Sequence, residues 1–117
     1  MAMRILFFSL LSLLLSLPVH ASSVQRAFDL ADSKDWSQAY AAARQSQNPM
    51  LSDYIDWRVL RSDDAREPVD QYLNYLGRYA FWPDSKLIFA ELTEAMLLDG
   101  HTQQQLQRWA ELYKTVY

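Results

Sequence analysis

Asp53-Tyr54-Ile55-Asp56-Trp57-Arg58-Val59-Leu60-Arg61 is the stretch on which the reading of this chain turns. Leu51, Tyr54, Ile55 and Arg58 recur three or four residues apart, the spacing that places side chains on one side of an α-helix. Met50 and Trp57 fall alongside them. The spacing predicts a helix from Met50 or Leu51 to Arg61, with Gln47-Asn48-Pro49 ending the element before it.

The same period extends outward in both directions. A first helix is expected from Ser23 to Ser33, with Val24, Ala27, Phe28 and Ala31 on one face. A second follows from Trp36 to Ser46, with Asp35 as N-cap because its carboxylate accepts from free first-turn amides. Ala39, Tyr40 and Ala43 form its inner face, where small side chains let two helices approach closely. Beyond the polar link Ser62-Asp63-Asp64, a fourth helix is expected from Glu67 to Leu76, starting near Pro68. Its apolar stripe is Val69, Tyr72, Leu73 and Leu76. Residues Gly77 to Phe81 read as a turn. Pro83 then opens the longest helix, which runs to Leu98 and closes at Asp99-Gly100-His101. Thr102 caps a last helix through Leu106, Trp109, Leu112 and Tyr113. Both glycines, Gly77 and Gly100, sit where helices are expected to end.

The fold class is therefore all-α. Leu30 to Trp36 and Leu97 to Thr102 look like weak repeats, since each breaks one helix briefly and starts another. Such hairpins stack into a solenoid, each covering its neighbour's apolar face. A compact helical bundle satisfies the same pattern. The last helix still carries Trp109, Leu112, Tyr113, Val116 and Tyr117 where the sequence stops, and solenoid ends are normally polar. More chain, or a partner, is expected to cover it.

Residues 1–21 are expected to be a cleaved leader rather than part of this domain. Arg4 precedes an apolar run from Ile5 to Leu17, Pro18 breaks it, and Val19-His20-Ala21 fits a small-x-small cleavage site. The run is shorter than the roughly 17 to 25 residues that span a bilayer. Residues 22–117 would then form one soluble periplasmic domain with no membrane anchor. Loss of Arg4 makes it one unit more negative than the −3 of the full chain, and no basic patch forms, which argues against nucleic acid. The chain has no cysteine, so neither a disulfide nor a lipid anchor on cysteine is expected.

Three segments carry a family resemblance. Ala27 to Arg44, around Lys34-Asp35-Trp36-Ser37-Gln38-Ala39, is one. Pro49-Met50-Leu51-Ser52-Asp53-Tyr54-Ile55-Asp56-Trp57-Arg58-Val59-Leu60 matches a Pro-x-Leu-x-Asp-Tyr-x-x-Trp-x-x-Leu signature. Tyr72-Leu73, then Trp82-Pro83 and Leu87, is the third, with Ala80 where the pattern has its first proline. Together they resemble the N-terminal, non-catalytic helical region of the soluble lytic murein transglycosylases. The resemblance implies a tetratricopeptide-like α-superhelix of stacked hairpins that serves as a scaffold. Its implied partners are peptidoglycan and the catalytic domain of a parent enzyme. That catalytic domain cleaves glycan strands and leaves anhydro-muramic ends, using a glutamate followed by serine. Glu67, Glu91, Glu94 and Glu111 precede Pro, Leu, Ala and Leu instead, so no catalytic residue is carried over. A free-standing periplasmic helical-repeat adaptor that binds protein or murein is the alternative.

The residues themselves offer little catalytic chemistry. Glu91 and Glu94, like Asp53 and Asp56, stand three apart on one helix and read as solvated faces, not as an acid pair across a cleft. His101 is the sole histidine after the leader and reads as a helix-end cation, so no metal or cofactor is expected. Trp36 and Trp57 read as core. Trp82, Trp109, Tyr79 and Phe81 are the candidate binding residues, because exposed aromatic faces stack on sugars.

Overall fold

The computed structural model describes residues 19–62 and 66–117. Among them are six helices and no strand: α1 Val19–Asp32, α2 Trp36–Gln45, α3 Pro49–Leu60, α4 Val69–Tyr79, α5 Ser85–Asp99 and α6 Gln103–Val116. The expected leader lies largely outside the described residues, as does the Asp63-Asp64 link. No described helix is long and apolar enough to cross a membrane. The chain divides into two compact units, with the boundary inside α3 after Ile55.

In the first unit α1 packs along α2. The buried positions are Ala27 and Ala31 on one helix and Ala39, Ala42 and Ala43 on the other. Methyl groups on both sides let the helix backbones approach closely. The link between them is a left-handed helix stop. Lys34 has φ 60°, its amide donates to Ala31 O at 2.9 Å, and the Asp35 amide donates to Leu30 O at 2.9 Å. These bonds satisfy carbonyls that the end of α1 would leave open. Asp35 then caps α2 by accepting from the Gln38 amide, as expected. At the next break Gln47 is left-handed and Asn48 Oδ1 accepts from the Met50 amide at 3.1 Å. Pro49 is the first residue of α3, where its missing amide costs nothing. Leu51 and Ile55 are buried, and the Phe28 ring meets Tyr54 edge-on at 5.2 Å.

The second unit is built around α4, which packs on both α5 and α6. Its expected stripe of Val69, Tyr72, Leu73 and Leu76 is buried, and Tyr75 joins it. Opposite stand Ile88, Phe89, Leu92, Ala95 and Met96 of α5 and Leu112 of α6. The end of α3 contributes Leu60, with Trp57 packed against the cluster. Asp56 is not the solvated residue the sequence suggests, since it accepts from Gln71 at 3.5 Å and pairs with Arg78 at 3.9 Å.

α1 begins at Val19, before the expected Ser23 and inside the expected leader, and α4 at Val69, not Glu67. Two further boundaries differ from expectation. Gly77 does not end α4, which continues to Tyr79. Here glycine makes room: a Cβ at Gly77 would stand 3.0 Å from a guanidinium nitrogen of Arg108, which donates to Leu73 O. Pro83 does not open α5 either, because Asp84 adopts a left-handed φ of 67° and the helix starts at Ser85. The other end is as predicted. Gly100 has φ 88°, and Thr102 and Gln105 form a reciprocal capping box. His101 Nδ1 lies 3.4 Å from Met96 O, the helix-end role expected of it.

Tyr72 is fully buried, and its hydroxyl accepts from the Glu67 amide at 3.2 Å. Burial raises its pKa above the ordinary tyrosine value of 10.0, opposed by that amide. A raised folded-state value means the fold holds the proton more tightly than the unfolded chain does. Stability from this group is therefore intact below about pH 10 and is lost as pH climbs through the higher folded value. Thermal melts taken across this alkaline range should show a falling midpoint, and a smaller fall in Tyr72→Phe. The two glycines should respond in opposite directions in urea titrations. Gly100→Ala forces a side chain into positive φ and should cost about 1 kcal/mol. Gly77→Ala should gain up to about 1 kcal/mol of helix propensity, because only the flexible tip of Arg108 must move.

Candidate binding surface

Tyr79, Phe81 and Trp82 come together at the α4–α5 turn. Tyr79 is the base of the group, half-buried and 5.4 Å from the Tyr75 ring. Phe81 lies 6.2 Å and Trp82 5.8 Å from it, centroid to centroid, and these two are 6.4 Å apart. Phe81 is 80% exposed and Trp82 39%. The Trp82 amide donates back to Tyr79 O at 2.9 Å, which tightens the turn.

The end of α3 holds this turn in place. The Trp57 indole N–H donates to Pro83 O at 2.9 Å. Arg61 lies over the Trp57 ring, 4.2 Å from its centroid, and reaches Asp84 at 3.3 Å. One proline carbonyl and the left-handed Asp84 are therefore both anchored from α3, leaving the Phe81–Trp82 rings as the outward part. Trp57 is half-buried and packs against the core cluster, as expected, and Trp36 is half-buried. Arg78 adds a cation 5.5 Å from the Tyr79 ring. Flat apolar rings beside guanidinium and carboxylate groups can stack on a sugar's C–H face and hydrogen-bond its hydroxyls.

Trp109 belongs to a second aromatic group. It stacks on Phe89 with centroids 5.4 Å apart and donates its indole N–H to Thr93 Oγ1 at 2.9 Å. Tyr113 and Tyr117 continue the row at 5.9 Å and 5.2 Å. Phe89 touches both, at 6.0 Å and 5.7 Å. Trp109 is thus a strut between α5 and α6. The sequence carried the signal for this row in the four-residue spacing of 109, 113 and 117, but only the fold places Phe89 behind it.

A polar groove of about 360 Å³ lies between the starts of α4 and α6, lined by Asp70, Asn74, Thr102, Gln104, Gln105 and Arg108. Gln105 donates to Asp70 at 2.9 Å and Arg108 to Asn74 at 3.4 Å, so these groups latch the two helices to each other. Among the described residues no group of three His, Cys, Asp or Glu side chains could hold a metal ion. Glu94 is exposed and Glu91 half-buried, three apart on α5.

Compared with family models, curated proteins and solved structures, the chain shows no match. The anchoring of the turn is open to test. Trp57→Phe keeps an aromatic ring, smaller than the indole, and removes the bond to Pro83, and should cost at least about 1 kcal/mol in denaturant unfolding. Trp82 fluorescence should become more accessible to a neutral quencher in that variant.

Proposed function

We propose that this chain is a non-catalytic helical scaffold akin to the N-terminal superhelical region of the soluble lytic murein transglycosylases, and that it binds peptidoglycan. The parent activity, cleavage of glycan strands to anhydro-muramic ends, belongs to a separate catalytic domain on this reading. In this proposal the mature protein is periplasmic, released from its leader after Ala21.

The observation that carries the reading is the Tyr79–Phe81–Trp82 corner. Two of its rings are exposed although apolar area gains about 25 cal/mol per Å² by leaving water. They stand on a turn pinned by Trp57 and Arg61, so the surface is preorganised and binding would order little that is not ordered already. A stacked-hairpin architecture is supported by two similar breaks. The α1–α2 and α5–α6 links are each three residues long, each has a residue at positive φ, and each ends in a side-chain N-cap. The signature over Pro49 to Leu60 also folds as one helix, and its Trp57 has a specific task there.

Co-sedimentation with purified murein sacculi tests the proposal. The chain should pellet with sacculi, and Phe81→Ala and Trp82→Ala should each weaken binding about tenfold, the size of a buried-anchor truncation. Trp109→Phe should leave binding unchanged. If the chain stays in the supernatant while a periplasmic protein is retained on it through the same corner, it is a protein adaptor instead. Release of anhydro-muropeptides by the chain itself would overturn the non-catalytic assignment.

A further inference from the structure

The groove between the starts of α4 and α6 carries two opposite charges, Asp70 and Arg108, both exposed to solvent. Among the described residues neither is bonded to an opposite charge; each is held by neutral groups instead. Asp70 Oδ1 accepts from the Gln105 side-chain amide at 2.9 Å. Arg108 donates to Asn74 Oδ1 and to Leu73 O, both at 3.4 Å. Arg108 is therefore tied to the level of Asn74, four residues after Asp70 on the same helix and about 6 Å further along its axis. Gln105 is fixed in turn by its capping box with Thr102, through bonds of 2.9 Å and 3.1 Å. The carboxylate and the guanidinium are thus set about one helical turn apart before anything binds. The second oxygen of Asp70, the amide donors of Asn74 and further N–H groups of Arg108 are left to engage a ligand.

We infer that this groove binds a free α-amino acid as its zwitterion, with the ammonium on Asp70 and the carboxylate on Arg108 and Asn74. The charge pattern selects the ligand class. A simple anion gains Arg108 but meets the carboxylate of Asp70, and a simple amine gains Asp70 but meets the guanidinium. A zwitterion finds its complement at both ends. One carbon separates ammonium from carboxylate carbon in an α-amino acid, so with a charged hydrogen bond of about 2.7–2.9 Å at each end it bridges a gap of one turn. A longer ω-amino acid oversteps that gap. The volume of about 360 Å³ falls within the roughly 300–1,000 Å³ of small-molecule sites. Thr102 and Gln104 make the rim polar, which favours a small or polar ligand side chain over an apolar one. Both charges stand in water, which weakens their pull, so an affinity in the millimolar range is expected. This inference is independent of the murein reading, because it uses neither Phe81 nor Trp82.

Chemical-shift titration of the isotope-labelled full chain at constant ionic strength tests it, with L-serine as the probe. The side-chain amide signals of Asn74 and Gln105 and the Nε–H of Arg108 should move saturably. Acetate, methylammonium and the long zwitterion ε-aminocaproate should each bind about tenfold more weakly or worse. Asp70→Asn should weaken serine about tenfold while acetate binds as well as before or better, a change of preference that damage to the fold does not produce. Arg108→Gln should weaken serine and acetate alike, with the rest of the spectrum unchanged. Three results would each overturn the assignment. The first is no saturable shift with serine. The second is acetate bound as tightly as serine by the unmodified chain, which makes the groove an anion site only. The third is serine binding indifferent to both substitutions.

Discussion

Helix α4 imposes the constraint on which the second unit depends. Val69, Tyr72, Leu73, Tyr75 and Leu76 are too many apolar groups for one contact face, so the helix must be covered from more than one side. α5 and α6 supply that cover, and α3 adds Leu60 and the half-buried Trp57. Several polar groups at the edges of this packing are satisfied by neighbours. Tyr72 accepts from the Glu67 amide, Arg108 donates to the carbonyl of Leu73, and Asp70 accepts from Gln105. Each bond is modest by itself, about 1 kcal/mol. The two bonds from α6, Arg108 to Leu73 and Gln105 to Asp70, set the rotation and height of α6 against α4, which apolar contact alone leaves loose.

The same packing decides which aromatic residues face solvent. Trp57 and Trp109 both end with indole N–H donors engaged, one on a carbonyl and one on a threonine hydroxyl. Buried or half-buried indoles need such partners. Phe81 has no polar atom to place, and the turn carries it outward. Thus Trp109 and Phe89 brace α5 against α6, with Tyr113 and Tyr117 exposed at the end of the row, while the other group forms an outward corner on a braced turn. Leu87, Leu97 and Leu98, exposed on the far side of α5, are a separate surface, apolar where the corner is aromatic.

Much of the local architecture was legible in the residues. Asp35 and Thr102 announce their caps, Gly100 its helix stop, and the period of Val69, Tyr72, Leu73 and Leu76 the buried side of α4. These signals work because capping and periodicity involve neighbours within about four residues. Gly77 and Pro83 misled for the complementary reason. Gly77 stays inside α4, and the guanidinium of Arg108, far along the chain, occupies the space beside it. Pro83 stays outside α5 because Trp57, 26 residues earlier, holds its carbonyl and Arg61 holds the left-handed Asp84.

The sequence by itself determined that the described chain is helical, where most helices begin and end, and which side of each seeks a partner. It also marked Trp82, Trp109, Tyr79 and Phe81 as candidates for a binding surface. Only the tertiary structure decided how they are arranged: Tyr79, Phe81 and Trp82 converge, whereas Trp109 stacks on Phe89 and donates to Thr93. The physical reason is range. Helix period and caps are written in contacts of a single turn, but exposure of a ring depends on which distant side chain arrives to cover it. No spacing rule encodes that arrival, because it is settled by the simultaneous packing of α3, α4, α5 and α6.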